Sequence, residues 1–272
     1  MSSHADKVAA FRALHVPGRP LLLPNPWDAG SARLLASLGY RAVATTSSGH
    51  AATLGRRDGL VTRDEALDHA ASIVAAVDLP VSADLENGFA DDPDAVFATI
   101  AAAAGIGLAG ASIEDFANRA DQPIYPIELA AERVAAAARA AHADPGLVLT
   151  ARAENLIRGN PDLDDTIARL QAYEAAGADV LYAPGLTTLD EIRRVVDAVG
   201  LPVNVLVRPG VATVAELADA GVARISVGGA FSQVALAALD GAARELIEHG
   251  TYSFLGVAAH GRDVAAAAFA ER

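Results

Sequence analysis

The stretch Val81-Ser82-Ala83-Asp84-Leu85-Glu86-Asn87-Gly88 decides how this chain reads. A short apolar run breaks off at two acids and then at a turn signal. Two later runs end in the same way: Ala111-Ser112-Ile113-Glu114 stops at an acid, and Val148-Leu149-Thr150-Ala151-Arg152 stops at a base. Buried strands with such ends would gather acids and a base at one rim of a sheet. In a barrel of alternating strands and helices that rim carries the active site. Asp84 and Glu86 lie two apart, so on an extended chain both side chains point the same way. Three carboxylates cannot share a dry pocket unaided. At an effective dielectric near ~20, a pair about 4 Å apart repels by roughly 4 kcal/mol. A proton or a cation must be present, and oxygen-only ligands select a hard ion such as Mg²⁺ or Mn²⁺.

Outward from these runs one pattern recurs: an Ala/Leu-rich helical segment, a Gly, a residue or two, then a β-branched run. It predicts eight strands, at Leu21–Leu23, Ala42–Thr46, Val81–Asp84, Gly110–Glu114, Leu147–Arg152, Val180–Ala183, Val203–Val207 and Arg224–Val227. Helices are predicted near Ser31–Leu38, Arg63–Val77, Pro93–Ala104, Glu128–Ala143, Leu163–Ala176, Leu189–Val199, Val214–Ala220 and Phe231–His249. Strand starts recur roughly every 20 to 40 residues, one βα unit each. The expected fold is α/β, a (β/α)₈ TIM barrel, with an open doubly wound sheet as the alternative. Residues 1–272 read as one domain: a barrel over about 20–250 and a C-terminal helical extension over about 251–272. Arg262–Ala270 forms an extra helix, too apolar to stand alone, that should pack on the barrel or on another subunit.

The chain has 272 residues, 52% of them hydrophobic, enough for a large core. Its 21 basic and 34 acidic side chains give a net charge of −13, which argues against nucleic acid and anionic membrane surfaces. There is no Cys, which excludes disulfides, thiolate metal sites and a cysteine nucleophile. The first residues hold no signal-like apolar run, and no stretch approaches the roughly 20 apolar residues of a spanning helix. A cytoplasmic location is expected.

Thr45-Thr46-Ser47-Ser48-Gly49-His50 ends the second strand, and its small hydroxyls and free N–H groups suit an oxyanion. Asp58, inside Arg57-Asp58-Gly59, reads on its own as a turn residue. Arg152 could clamp a carboxylate or phosphate, or pair with Glu114 or Glu154, or both. Trp27 could wall the pocket, and Asn204 and Arg208, in and after the seventh strand, are further ligand contacts. His50 could transfer protons, whereas His69, His142 and His249 read as surface residues. Gly228-Gly229 after the eighth strand offers a weak phosphate-cup signal.

Pro24-Asn25-Pro26-Trp27-Asp28-Ala29-Gly30-Ser31-Ala32-Arg33 resembles the opening of the isocitrate lyase/phosphoenolpyruvate mutase superfamily. So do Ala42–Asp58, Asp84-Leu85-Glu86-Asn87-Gly88-Phe89, Ile113-Glu114-Asp115, Ala151-Arg152 and Ala175-Ala176-Gly177-Ala178-Asp179, most closely in its carboxyphosphonoenolpyruvate phosphonomutase-like branch. The resemblance covers about Pro20 to Gly229. It implies a (β/α)₈ barrel, a homodimer or homotetramer that exchanges the eighth helix, Mg²⁺, and a 2-oxo-acid-like ligand. It implies a metal shell of Asp84, Glu86 and Glu114, partly through water, and Asp58 as the residue orienting metal-bound water. Thr46, Ser47 and Ser48 resemble the carboxylate loop and Arg152 the anion clamp.

The chain departs from the superfamily's lyases in lacking a Lys-Lys-Cys-Gly-His loop, and from its mutases in having Ala183-Pro184-Gly185 after the sixth strand and a single gate Asn, Asn118. The leading expectation is an Mg²⁺-dependent lyase or decarboxylase that cleaves a bond next to a 2-oxo acid through an enolate. P–C bond chemistry, a non-catalytic carboxylate-binding barrel and a sugar-phosphate aldolase are the alternatives. The last lacks an evident Schiff-base lysine, since Lys7 is the only Lys.

Overall fold

The computed structural model describes residues 2–270. Eight parallel strands form a nearly closed barrel: β1 (Leu21–Leu23), β2 (Val43–Ala44), β3 (Val81–Asp84), β4 (Gly110–Glu114), β5 (Val148–Arg152), β6 (Val180–Tyr182), β7 (Val203–Leu206) and β8 (Arg224–Ser226). β8 pairs with both β7 and β1, so the open-sheet alternative falls. The seam between β1 and β2 is bridged just beyond the strands: Ala44 N–H donates to the Pro24 carbonyl and Asn25 Nδ2 to that of Thr45, each at 3.0 Å. Parallel strands covered on both faces read as continuous apolar runs, which is why all eight were legible.

The helices are α1 (His4–Ala13), α2 (Ala29–Ser37), α3 (Ser47–Thr53), α4 (Arg63–Ala76), α5 (Pro93–Gly105), α6 (Ile127–Ala141), α7 (Leu163–Ala175), α8 (Leu189–Ala198), α9 (Val214–Asp219), α10 (Ala230–Arg244) and α11 (Leu255–Phe269). Thr62/Glu65, Thr188/Glu191 and Thr213/Glu216 form reciprocal caps that set where α4, α8 and α9 begin. None of these helices is long and apolar enough to cross a membrane.

Register puts like with like across the barrel interior. Gly110 lies beside Val148, Ser112 beside Thr150 and Glu114 beside Arg152, so polarity rises along β4 and β5 towards their C-terminal ends. At the N-terminal end α1, which the sequence reading did not foresee, closes the floor. Phe11 is fully buried among Leu14, Leu21, Val148 and Val180. Gly110 is required there, because a Cβ would stand 2.5 Å from Phe11 Cε1.

Two C-terminal elements differ from expectation. The helix predicted over Phe231–His249 is α10 followed by a wider turn over Glu245–His249. The extra helix begins at Leu255 rather than Arg262, and it packs on α2, where Arg33 donates to the Phe269 carbonyl at 3.3 Å. α10 leaves Val234 67% and Leu239 66% exposed, and Leu22 on the outer face of β1 is 43% exposed.

Candidate active site

The C-terminal strand ends open onto a cavity of about 200 Å³. Arg152, the last residue of β5, is its electrostatic hub. Its Nη1 lies 3.0 Å from Asp84 Oδ1, and its Nη2 lies 3.0 Å from Glu114 Oε2 and 2.6 Å from Glu154 Oε1. Glu154 is fully buried and also holds Arg158 at 3.2 Å. Arg158 in turn covers the Phe116 ring, its Cζ 3.6 Å from the centroid. Behind the rim, buried Asp115 accepts from Tyr173 Oη (2.5 Å), Arg169 Nη1 (3.0 Å) and Glu154 N–H (2.8 Å), and so fixes the turn that presents Glu154.

Asp58 and Glu86 bring further negative charge, and the carboxyls respond. Burial, with Asp84 and Asp58 adding repulsion, pushes Glu86 up to about 8. Burial also holds Glu114 well above the usual carboxylate range despite Arg152. Desolvation raises Asp58 too, opposed by a hydrogen bond with Ser47 and reinforced by Asp84. Burial works against the charge on Arg152, but Glu114, Glu154 and Asp84 hold it protonated.

Of the residues marked from sequence, Thr46, Ser47, Ser48, Asp58, Asp84, Arg152 and Asn204 line this cavity. Glu86 and Glu114 line an adjoining one with Asp91, Phe116 and Asn118. Asp84 and Glu86 do not share a strand face as alternation suggested. The strand stops at Asp84, whose Oδ1 accepts from Glu86 N–H at 3.3 Å, and Glu86 turns to φ +46°. Thr46–Ser48 is not a loop but the start of α3: Thr46 caps it, and Ser47 N–H donates to Asp84 Oδ2 at 3.3 Å. This tight packing needs Gly49, where a Cβ would meet Thr46 Cγ2 at 2.6 Å.

Trp27 and Arg208 are not among the cavity's lining residues. Trp27 sits behind α3, where its carbonyl lies 2.9 Å from His69 Nε2, and Arg208 is exposed beyond β7. His50 lies buried behind the lining rather than in it, stacked on His69 at 3.9 Å, and burial lowers it to about 4. It is neutral at pH 7 and holds no proton to give from Nδ1 and Nε2 together. His69 is half-buried, not a surface residue. The N–H groups of Val227 and Gly228 are both taken up by Asn25 Oδ1, at 3.0 and 2.9 Å, while Gly228 and Gly229 line the cavity.

The sequence reading missed Arg158, Tyr182 and Arg224 as lining residues. Arg158 carried a signal, four residues after Glu154. Arg224 and Tyr182 carried one in inward alternation along β8 and β6.

The donor chemistry fits a hard divalent cation, since every acid here offers oxygen. Among the described residues no three acidic or imidazole groups converge closely enough to wrap an ion alone. Mg²⁺ keeps several waters, so an ion held at this rim would need water to complete its shell.

Residues 11–247 match the family model described as phosphoenolpyruvate phosphomutase. The 2-methylisocitrate lyase of Escherichia coli K12 is 34% identical over 212 residues, 75% of this chain and 70% of its own. The oxaloacetate decarboxylase of Ectopseudomonas mendocina is 30% identical over 208 residues, 74% of this chain and 70% of its own. A solved structure from Burkholderia cenocepacia J2315, provisionally described as a lyase/mutase, superposes with a TM-score of 0.93 at 54% identity, covering 96% of this chain and 95% of that one. With the barrel, the acid-rich rim and these matches together, the chain belongs to the phosphoenolpyruvate phosphomutase family, within the isocitrate lyase/PEP mutase superfamily.

Proposed function

We propose that the protein is an enzyme that cleaves a C–C bond next to a 2-oxo acid, with decarboxylation of an oxaloacetate-like substrate as the reaction that asks least of the chain. One observation carries this reading: a guanidinium shared by three carboxylates, with Asp58 and Glu86 adding acid around the same rim. Asp84, Glu86 and Glu114, with water, would hold Mg²⁺ or Mn²⁺, and Asp58 would orient that water. When bound, the ion would polarise the 2-oxo-carboxylate and balance the negative charge that develops on it.

The chain's own residues do the rest. Ser48 and Thr46 at the start of α3 bind the carboxylate next to the oxo group. Arg152, held rigid by its acids, and Asn204 meet the far end of the substrate. The C–C bond to the leaving carboxylate breaks, CO₂ departs, and the electron pair stays on the neighbouring carbon as an enolate. Water can protonate that carbon, so no Cys is needed. The oxaloacetate decarboxylase relative supports this choice.

The test is turnover of a 2-oxo-acid panel with Mg²⁺ and with chelator. Glu86→Ala and Glu114→Ala should abolish metal-dependent turnover, and retained activity would refute these roles. The phosphomutase family match favours P–C bond chemistry as a second reading. Turnover of phosphonopyruvate in place of the 2-oxo acids would select it. Binding without any turnover would select the non-catalytic barrel.

A homodimer or homotetramer belongs to the same reading. Exposed Val234 and Leu239 on α10, with uncovered Leu22, form the apolar surface that exchange of α10 between subunits would bury. Sedimentation of a monomer would reject it.

A further inference from the structure

Below the rim lies a second buried guanidinium, and no acid accompanies it. Arg224 opens β8, is 4% exposed and lines the cavity. Its Nε donates to Asn204 Oδ1 at 3.0 Å, and its Nη1 to Thr150 Oγ1 at 3.1 Å. The same Nη1 lies 3.2 Å from His15 Nε2. His15 Nδ1 faces the Phe11 carbonyl at 2.8 Å. A carbonyl only accepts, so Nδ1 carries the proton and Nε2 receives the Arg224 bond. Nη2 has no hydrogen-bond partner among the described residues. Among the described residues Tyr182 is the only acidic group that bears on Arg224, and burial leaves its guanidinium at about 10, charged at neutral pH.

A buried cation without a counterion burdens a fold. Nothing in the floor requires one: the residues beneath it are apolar. Arg152 and Arg158 are held by acids, so of the guanidiniums lining the cavity Arg224 is the one left over for a ligand. Its influence also has a direction. A guanidinium accepts no hydrogen bond, so Asn204 turns its carbonyl to it and its Nδ2 to Ser226 Oγ at 3.0 Å. Ser226, which lines the cavity beside the Tyr182 hydroxyl, keeps its own proton to donate there or to a ligand.

We propose that Arg224 is the positioning residue that makes this cavity an anion site, supplying unneutralised positive charge to a small dicarboxylate and, through Asn204 and Ser226, orienting the floor's donors towards it. This rests on the carboxylate-binding reading of the site above, not on its enolate chemistry.

Asn204→Asp tests it with almost no change of shape, because it hands Arg224 a counterion. Oxalate serves as probe, by calorimetry with Mg²⁺. The variant should melt higher than wild type and bind oxalate about tenfold more weakly or worse. Arg224→Gln should lose the same affinity, and Arg224→Lys should regain most of it. A higher melting temperature with unchanged oxalate affinity in Asn204→Asp would mark Arg224 as merely structural and overturn the proposal. So would a Lys variant as weak as the Gln variant, or a wild type that binds no oxalate. If Arg224→Gln does not fold, Asn204→Asp decides alone. Oxalate binding without turnover of any 2-oxo acid overturns the enolate chemistry and leaves this inference standing.

Discussion

Arg152 and Arg224 occupy neighbouring layers of one barrel and meet opposite surroundings. Thr150, two residues before Arg152 on β5, is one of the residues that Arg224 touches. Yet Arg152 has three carboxylates within 3.0 Å, and Arg224 has neutral partners only. The rim holds more acid than its arginines can balance. The floor holds one cation above an apolar plug. The floor contributes shape-matched burial around Phe11, and the unbalanced charge above is what a ligand or ion can exploit.

Removing the hub should do the most damage. Arg152→Met leaves Asp84, Glu114 and Glu154 facing one another, and should cost about 5 kcal/mol in urea unfolding at pH 7.5. At pH 5 the loss should shrink, because Glu114, which burial already holds above the usual carboxylate range, no longer repels once protonated. An equal loss at both values would break the view of the rim as an electrostatic unit.

The floor should respond to volume and not to pH. Phe11→Ala opens a cavity and should cost about 3–4 kcal/mol. Gly110→Ala forces a methyl against the same ring and should cost about 1–3 kcal/mol. Both should leave oxalate affinity per folded molecule unchanged. A floor variant that weakened binding tenfold while keeping its melting temperature would blur the division of labour.

The smallest effect is a slope. Glu86 has a folded value of about 8 against an ordinary 4.5, so the folded chain holds this proton more tightly than the unfolded one. The stability from that proton is present below 4.5 and is lost as pH rises towards 8. With chelator present, the melting temperature should decline across this window. Glu86→Gln, or saturating Mg²⁺, should flatten the decline. A wild type with a flat profile would show that burial and the neighbouring acids do not raise Glu86.

Much of the barrel was readable in the chain. Each strand is an apolar run, and each run stops where the chemistry begins, so Asp84, Glu114 and Arg152 announced themselves as strand ends. Thr46–Ser48 was readable as a hydroxyl-rich turn, though not as the start of α3, because seven residues give too short a periodic signal. Asp58 was visible only by resemblance. Locally it is an Asp-Gly turn, and its place at the cavity depends on α3 ending where it does. Trp27 and His50 looked like pocket residues because they neighbour the right strand ends in sequence. Adjacency along the chain did not tell which side of α3 they take.

Composition, strand spacing and strand-end acids determined by themselves that eight strands alternate with helices and end in a charged rim, because burial and periodicity are local properties of a chain, whereas closure into a barrel rests on the pairing of β1 with β8. Which acids share Arg152, that Glu86 turns into the adjoining cavity, and that Arg224 stands on His15 without a counterion were decided by the tertiary structure alone. Electrostatic balance is summed over residues as far apart as 15 and 224, and no local pattern carries that sum.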